Sequence, residues 1–203
     1  IVCENGKPFV EEYTLVSVAD YVLSHTPGTT VSNMSSTKAL RDVTEARGQR
    51  YFASAVGEVN VVEKMKQENA VIGGEGNGGV IYPELHYGRD ALVGIALFLS
   101  LLAKSGKTCS ALRASYPNYE ISKNKMELTP EMNVDLILEK MAKKYADCEV
   151  LTTDGVKIMF KDEWVHLRKS NTEPIIRIYS ESRDMAAANA LATKIMNEIK
   201  QLL

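Results

Sequence analysis

The sequence predicts a layered α/β domain followed by a smaller α+β domain with an antiparallel sheet. Three observations carry this reading. Strand-like and helix-like runs alternate over residues 29–103, the order of elements changes across 113–118 where Pro117 stands, and hairpin and period-two signals dominate beyond it. The 203 residues suffice for one large domain or two small ones, and the change of pattern places a boundary at 113–118.

Along the chain, Asn5 and Gly6 sit between two short apolar runs, so residues 1–10 read as a hairpin closed by a type I′ turn. Leu15, Val18, Ala19, Val22 and Leu23 follow helical spacing, and residues 29–33 read as a strand. Ser36 is placed to cap a second helix reaching Arg47, with Gly48 as its left-handed terminator. A strand at 51–55, a helix at 58–67, a short strand at 70–72, a glycine-dense loop and an apolar helix at 89–103 complete the first domain. In the second, a strand is expected at 119–124, and Val134, Ile137, Leu138, Met141 and Tyr145 mark a helix. Asp154 and Gly155 join two strands; strands at 164–168 and 175–181 and an amphipathic final helix follow.

Hydrophobic residues at 45% and charged residues at 25% indicate a packed core rather than a disordered or fibrous chain. A net charge of -2 argues against a nucleic-acid partner, which would call for a basic excess. Cys3, Cys109 and Cys148 are odd in number and form no CxxC pair, so neither a disulfide framework nor a thiolate metal site is expected; a reducing cytoplasm fits. The longest apolar stretch, 91–103, is shorter than the roughly 20 residues of a membrane span and reads as a buried helix, so no membrane partner is expected. The chain opens without Met in strand-like Ile1, Val2 and Cys3, as though cut from something longer.

Two loops carry candidate chemistry. Residues 73–79 read GGEGNGG. Glycines without Cβ let a ligand approach the backbone, the Glu75 carboxylate can accept from two neighbouring hydroxyls, and Asn77 offers both donor and acceptor. A tight turn with a solvated Glu is the equally open alternative. Gly74, Gly76 and Gly79 satisfy GxGxxG, but Val80, Ile81, Tyr82 and Pro83 look extended where a dinucleotide loop would open a helix. The SGKT run at 105–108 lacks the earlier glycine of a phosphate loop, so Gly106 reads as a helix terminator.

The second loop is RKSNTEP at 168–174, with Arg177 in the next strand. Arginine forks match phosphate oxygens, and Ser, Thr and backbone amides add donors, which makes an anion cradle; a solvated charged turn is the alternative. His86, Arg89 and Lys169 lie near enough in sequence to line these sites, although His86 suits a structural role as well. His25 and His166 lack metal-ligand spacing, and the 33–35 sequon has no secretory context.

Taken in this order and separation, GGEGNGG and RKSNTEP resemble the α-D-phosphohexomutases, the phosphoglucomutase/phosphomannomutase/phosphoglucosamine mutase superfamily, with GEVNVVEKM at 57–65 and YPELHYGRDA at 82–91 adding to the match. The resemblance covers essentially the whole chain and implies the C-terminal half of such an enzyme. It implies an α/β three-layer domain with a mixed sheet at 13–113, an α+β domain at 118–203, and a remnant hairpin of the preceding domain at 1–12. Glu75 and Asn77 in the frame of Gly74, Gly76 and Gly78 would contact sugar hydroxyls. Arg168, Ser170, Asn171 and Thr172, with Arg177, would hold the phosphate that is not reacting. Many bacterial members carry Ser-Gly-His after the loop Glu, where this chain has Gly76, Asn77, Gly78 and Gly79.

The resemblance further implies an isomerase that exchanges hexose 1- and 6-phosphates through a phosphoserine, a bisphosphate intermediate and Mg²⁺. The chain has neither a TASHNP-like serine run nor a DxDxDR metal loop. The expectation is therefore that hexose phosphate and the missing N-terminal domains are its partners, that Mg²⁺ binds in those domains, and that the fragment alone is inactive. The competing expectation is a non-catalytic sugar-phosphate-binding or regulatory module, with a nucleotide-binding protein third.

Overall fold

The computed structural model describes residues 1–129, 132–170 and 173–202, and the chain divides into two compact units, Ile1–Asn118 and Tyr119–Leu203. In the first, helix α1 (Glu11–Leu23) precedes β1 (Thr30–Asn33), α2 (Ala39–Ala46), β2 (Tyr51–Ser54), α3 (Glu58–Gln67), β3 (Ile72–Glu75), β4 (Gly79–Ile81), α4 (Ala91–Ser105) and α5 (Cys109–Ala114). The sheet runs β2-β1-β3-β4, parallel except for β4, which pairs antiparallel with β3. This is the expected α/β unit with a mixed sheet.

Alternation along the strands sorts the layers. Val31, Ile81, Val61, Met65 and Ala70 form one cluster against α3, with Phe52 beside it. On the other face Thr30 Oγ1 meets Thr44 Oγ1 of α2 at 2.7 Å, while Val80 lies under Gly94 of α4. Gly48 (φ 69°) and Gly106 (φ 63°) end α2 and α4 in the left-handed conformation, as expected.

Several expectations are corrected. The turn at residues 3–7 is not type I′, because Gly6 alone takes a positive φ (77°). Gly6 N–H donates to Cys3 O at 3.0 Å and Asn5 Oδ1 accepts from Lys7 N–H at 3.0 Å, so a turn centred on Glu4 and Asn5 passes into a glycine bulge. Ser36 does not cap α2, since its hydroxyl is committed elsewhere. The strand expected at 70–72 begins at Ile72 and continues through Glu75, which makes GGEGNGG a β-hairpin rather than an open loop. The apolar helix is not buried all round: α4 buries Gly94 and Phe98, whose ring stands edge-on to Phe9 at 5.1 Å, while Leu92, Ile95 and Leu99 are exposed. Helix α5, capped by the Thr108 hydroxyl, has too little apolar periodicity to be read from sequence.

The second unit has β5 (Glu120–Glu127), α6 (Val134–Lys144), β6 (Glu149–Leu151), β7 (Val156–Met159), β8 (Trp164–Lys169), β9 (Ile175–Ser182) and α7 (Met185–Gln201). The five strands form an antiparallel sheet in the order β5-β9-β8-β7-β6. Its core joins Ile158, Val165, Leu167, Ile176 and Ile178 to Ile137 and Met141 of α6 and Leu191, Ile195 and Ile199 of α7. Gly155 (φ 72°) turns β6 into β7 as expected, with no room for a Cβ because Leu167 O would lie 2.1 Å away. No helix among the described residues is long and apolar enough to cross a membrane.

Candidate functional site

The first site forms where β1 and β3 end side by side. Parallel register sets Ser32 opposite Gly74, so the next residues, Asn33 and Glu75, project together. Asn33 Nδ2 donates to Glu75 Oε1 at 3.0 Å, and Arg89 Nη1 stands 3.4 Å from Glu75 Oε2. Glu75 is buried, and both oxygens are engaged; each retains a second lone-pair direction for a ligand hydroxyl.

The glycines serve this packing. A Cβ on Gly74 would meet Gly79 O at 1.9 Å, and one on Gly76 would strike both Glu12 carboxylate oxygens at 2.2 Å. Buried Glu12 accepts from Thr37 N–H at 2.8 Å, while Ser36 Oγ accepts from Gly76 N–H at 2.9 Å and donates to Asn33 Oδ1 at 3.1 Å. At the hairpin tip, Gly78 (φ 87°) permits the turn and Asn77 Oδ1 accepts from Gly79 N–H at 3.0 Å. That leaves the amide nitrogen of exposed Asn77 as its donor to a ligand.

Arg89 passes over Gly79, whose Cβ would lie 2.7 Å from Arg89 Cδ. Its Nε pairs with Glu58 Oε2 at 2.8 Å, and this arginine, through its backbone N–H first and its side chain next, holds the Glu58 carboxyl below its ordinary pKa. His86 is engaged by Asp90, with Nε2 3.0 Å from Asp90 Oδ2, and Asp90 Oδ1 caps α4 through Leu92 and Val93 N–H. The Val93 amide first, then His86, and to a smaller extent the Leu92 amide, lower the Asp90 pKa.

The second site lies on the face of the antiparallel sheet away from α6 and α7. Arg168 of β8 and Arg177 of β9 are direct cross-strand partners, so their side chains share that face. Asp154 Oδ2 lies 3.6 Å from Arg168 Nη1, and Glu173 Oε2 lies 3.2 Å from Arg177 Nη2. His166, in the same alternation, contacts Asp154 O through Nε2 at 2.6 Å. Ser170 is buried, and its N–H donates to Ile175 O at 3.1 Å, closing the loop base. Lys169 alternates to the opposite face, 3.5 Å from Asp135 Oδ2. Asn171 and Thr172 lie outside the described residues.

Residues 11–119 match the phosphoglucomutase/phosphomannomutase α/β/α domain III, and residues 125–198 match the C-terminal domain of the same family. The chain belongs to the phosphoglucomutase/phosphomannomutase family. It is 36% identical over 201 residues to a phosphoglucomutase/phosphomannomutase of Thermococcus kodakarensis, covering 96% of this chain and 44% of that protein. It is 41% identical over 150 residues to a phosphoglucosamine/phosphogalactosamine mutase of Sulfurisphaera tokodaii, covering 73% and 32%. The solved phosphoglucomutase/phosphomannomutase family protein of Burkholderia thailandensis superposes with a TM-score of 0.80 at 25% identity, covering 98% of this chain and 43% of that one. The chain thus spans less than half the length of the curated relatives it matches.

Within this phosphohexomutase fold, the sequence reading missed Asn33, Ser36 and Glu12, which buttress Glu75, and Asp154, which pairs with Arg168. Only the sequon pattern drew attention to Asn33, and for another reason. Among the described residues, no group of three or more His, Cys, Asp or Glu is arranged to hold a metal ion. The Mg²⁺ that the family implies therefore finds no fitting ligand set among the described residues.

Proposed function

We propose that this chain supplies the sugar- and phosphate-recognition half of a phosphohexomutase that interconverts hexose 1-phosphates and 6-phosphates. The observation that carries this reading is the directly opposed Arg168–Arg177 pair on one sheet face, in the unit that matches the family's C-terminal domain. Asp154 and Glu173 each engage one of these arginines from the side, and a phosphate set between the two guanidinium forks, which fit its oxygens two at a time, would engage both. Glu75 and Asn77, held by the β3–β4 hairpin, read sugar hydroxyls; Arg168, Ser170, Asn171, Thr172 and Arg177 hold the phosphate that is not being transferred.

In the whole enzyme a phosphoserine gives its phosphoryl group to the free hydroxyl of the substrate. The resulting hexose bisphosphate turns around, and its other phosphoryl group returns to the serine. Alignment dominates such a transfer, so an anchor on the idle phosphate contributes through positioning. The serine and Mg²⁺ sites are assigned to parts of the enzyme that this sequence does not include.

Calorimetric titration of the 203-residue chain with glucose, mannose and glucosamine 6-phosphates tests the reading. Binding is expected, and Arg168→Ala should weaken it by about 1.5–3 kcal/mol, the contribution of a charged hydrogen-bond partner. An unchanged affinity removes Arg168 from the phosphate site. A coupled assay should find no mutase turnover by this chain alone, and measurable turnover would overturn the division of labour.

A further inference from the structure

Beside Arg168 and Arg177 stands a third cation that no sequence motif marks. Lys125 of β5 is the direct cross-strand partner of Arg177, which is in turn the partner of Arg168. The three residues form one row across β5, β9 and β8, and pleating puts their side chains on the same face. Directly opposed Cβ atoms lie about 4.5–5.5 Å apart, so all three side chains root within about 10 Å. Arg168 and Arg177 each have a carboxylate near, Asp154 and Glu173, whereas exposed Lys125 makes no ion pair among the described residues.

We propose that Lys125 is a third phosphate-contacting cation of this site, extending the cationic row of Arg168 and Arg177 onto the edge strand. The proposal rests on the reading of Arg168 and Arg177 as phosphate holders. Two arginine forks fix the orientation of a phosphate, and a lysine on a flexible stem adds a point charge that follows it. Asp154 and Glu173 offset two of the three like charges, and an anion over the row would compensate the charge of Lys125 as well.

A lysine on an edge strand can also serve only to discourage strand pairing. Lys123 distinguishes the two roles: it shares the strand and face, but its partner is Tyr179, over whose ring its ammonium stands at 6.0 Å.

The test measures the melting temperature of the 203-residue chain against inorganic phosphate at constant ionic strength, for wild type, Lys125→Gln, Lys125→Arg, Lys123→Gln and Arg168→Gln. Phosphate should raise the melting temperature of wild type, Lys125→Arg and Lys123→Gln. Lys125→Gln should weaken the apparent phosphate affinity on the order of tenfold, and without phosphate it should melt no lower than wild type. If Lys125→Gln behaves as Lys123→Gln does while Arg168→Gln abolishes the phosphate effect, the role of Lys125 is refuted and the anion site stands. If Arg168→Gln also leaves the effect unchanged, or wild type shows none, the anion-site reading falls and Lys125 with it.

Discussion

His166 is buried in β8, and its Nε2 faces Asp154 O, an atom that can only accept, so Nε2 carries a proton and donates it. Burial first, then the nearby Lys157 and Arg168 charges, push its pKa down to about 4 from 6.5, against the opposing bond to Asp154. Between those values the unfolded chain binds a proton that the folded chain refuses. The stability contribution is therefore complete above pH 6.5 and is lost as pH falls towards 4, by roughly 3 kcal/mol in all. His166→Gln keeps an N–H for Asp154 O but cannot titrate. Urea unfolding from pH 7 to pH 4.5 should show a shallower loss of stability in the variant than in wild type; parallel curves would mean that His166 titrates normally.

At the scale of elements, the β3–β4 hairpin depends on backbone that only glycine can supply. Gly74→Ala would drive a Cβ into Gly79 O, a backbone atom that cannot move without separating the two strands. A loss of about 3 kcal/mol, the upper range for overpacking, is expected as a lower urea midpoint with unchanged slope. A midpoint within error of wild type would show that the strands separate freely. Local periodicity made most elements legible: β9 alternates, α7 repeats on a helical period, and Asp154–Gly155 marks its own turn. The site was legible only where one segment carries it, as in RKSNTEP and GGEGNGG. The Asn33–Glu75 bond joins residues 42 apart through strand adjacency, which no local pattern encodes. Likewise, apolar composition alone does not tell how many faces of α4 are covered, and three of its large side chains proved exposed.

For the molecule as a whole, the second unit draws the core beneath its sheet entirely from its own helices and strands. A five-stranded sheet packed on two helices exceeds what independent folding requires. Residues 119–203 expressed alone should therefore unfold cooperatively and respond to phosphate as the longer chain does. A gradual melt without a baseline would contradict that. The chain has one tryptophan, Trp164, fully buried in this unit, with Lys157 Nζ 3.9 Å from its ring centre and its indole N–H donating to Glu181 at 2.6 Å. Red-edge fluorescence excitation thus selects the second unit alone, and the flanking ammonium and carboxylate tune its emission colour. One optical signal follows that half of the chain through denaturation without any label.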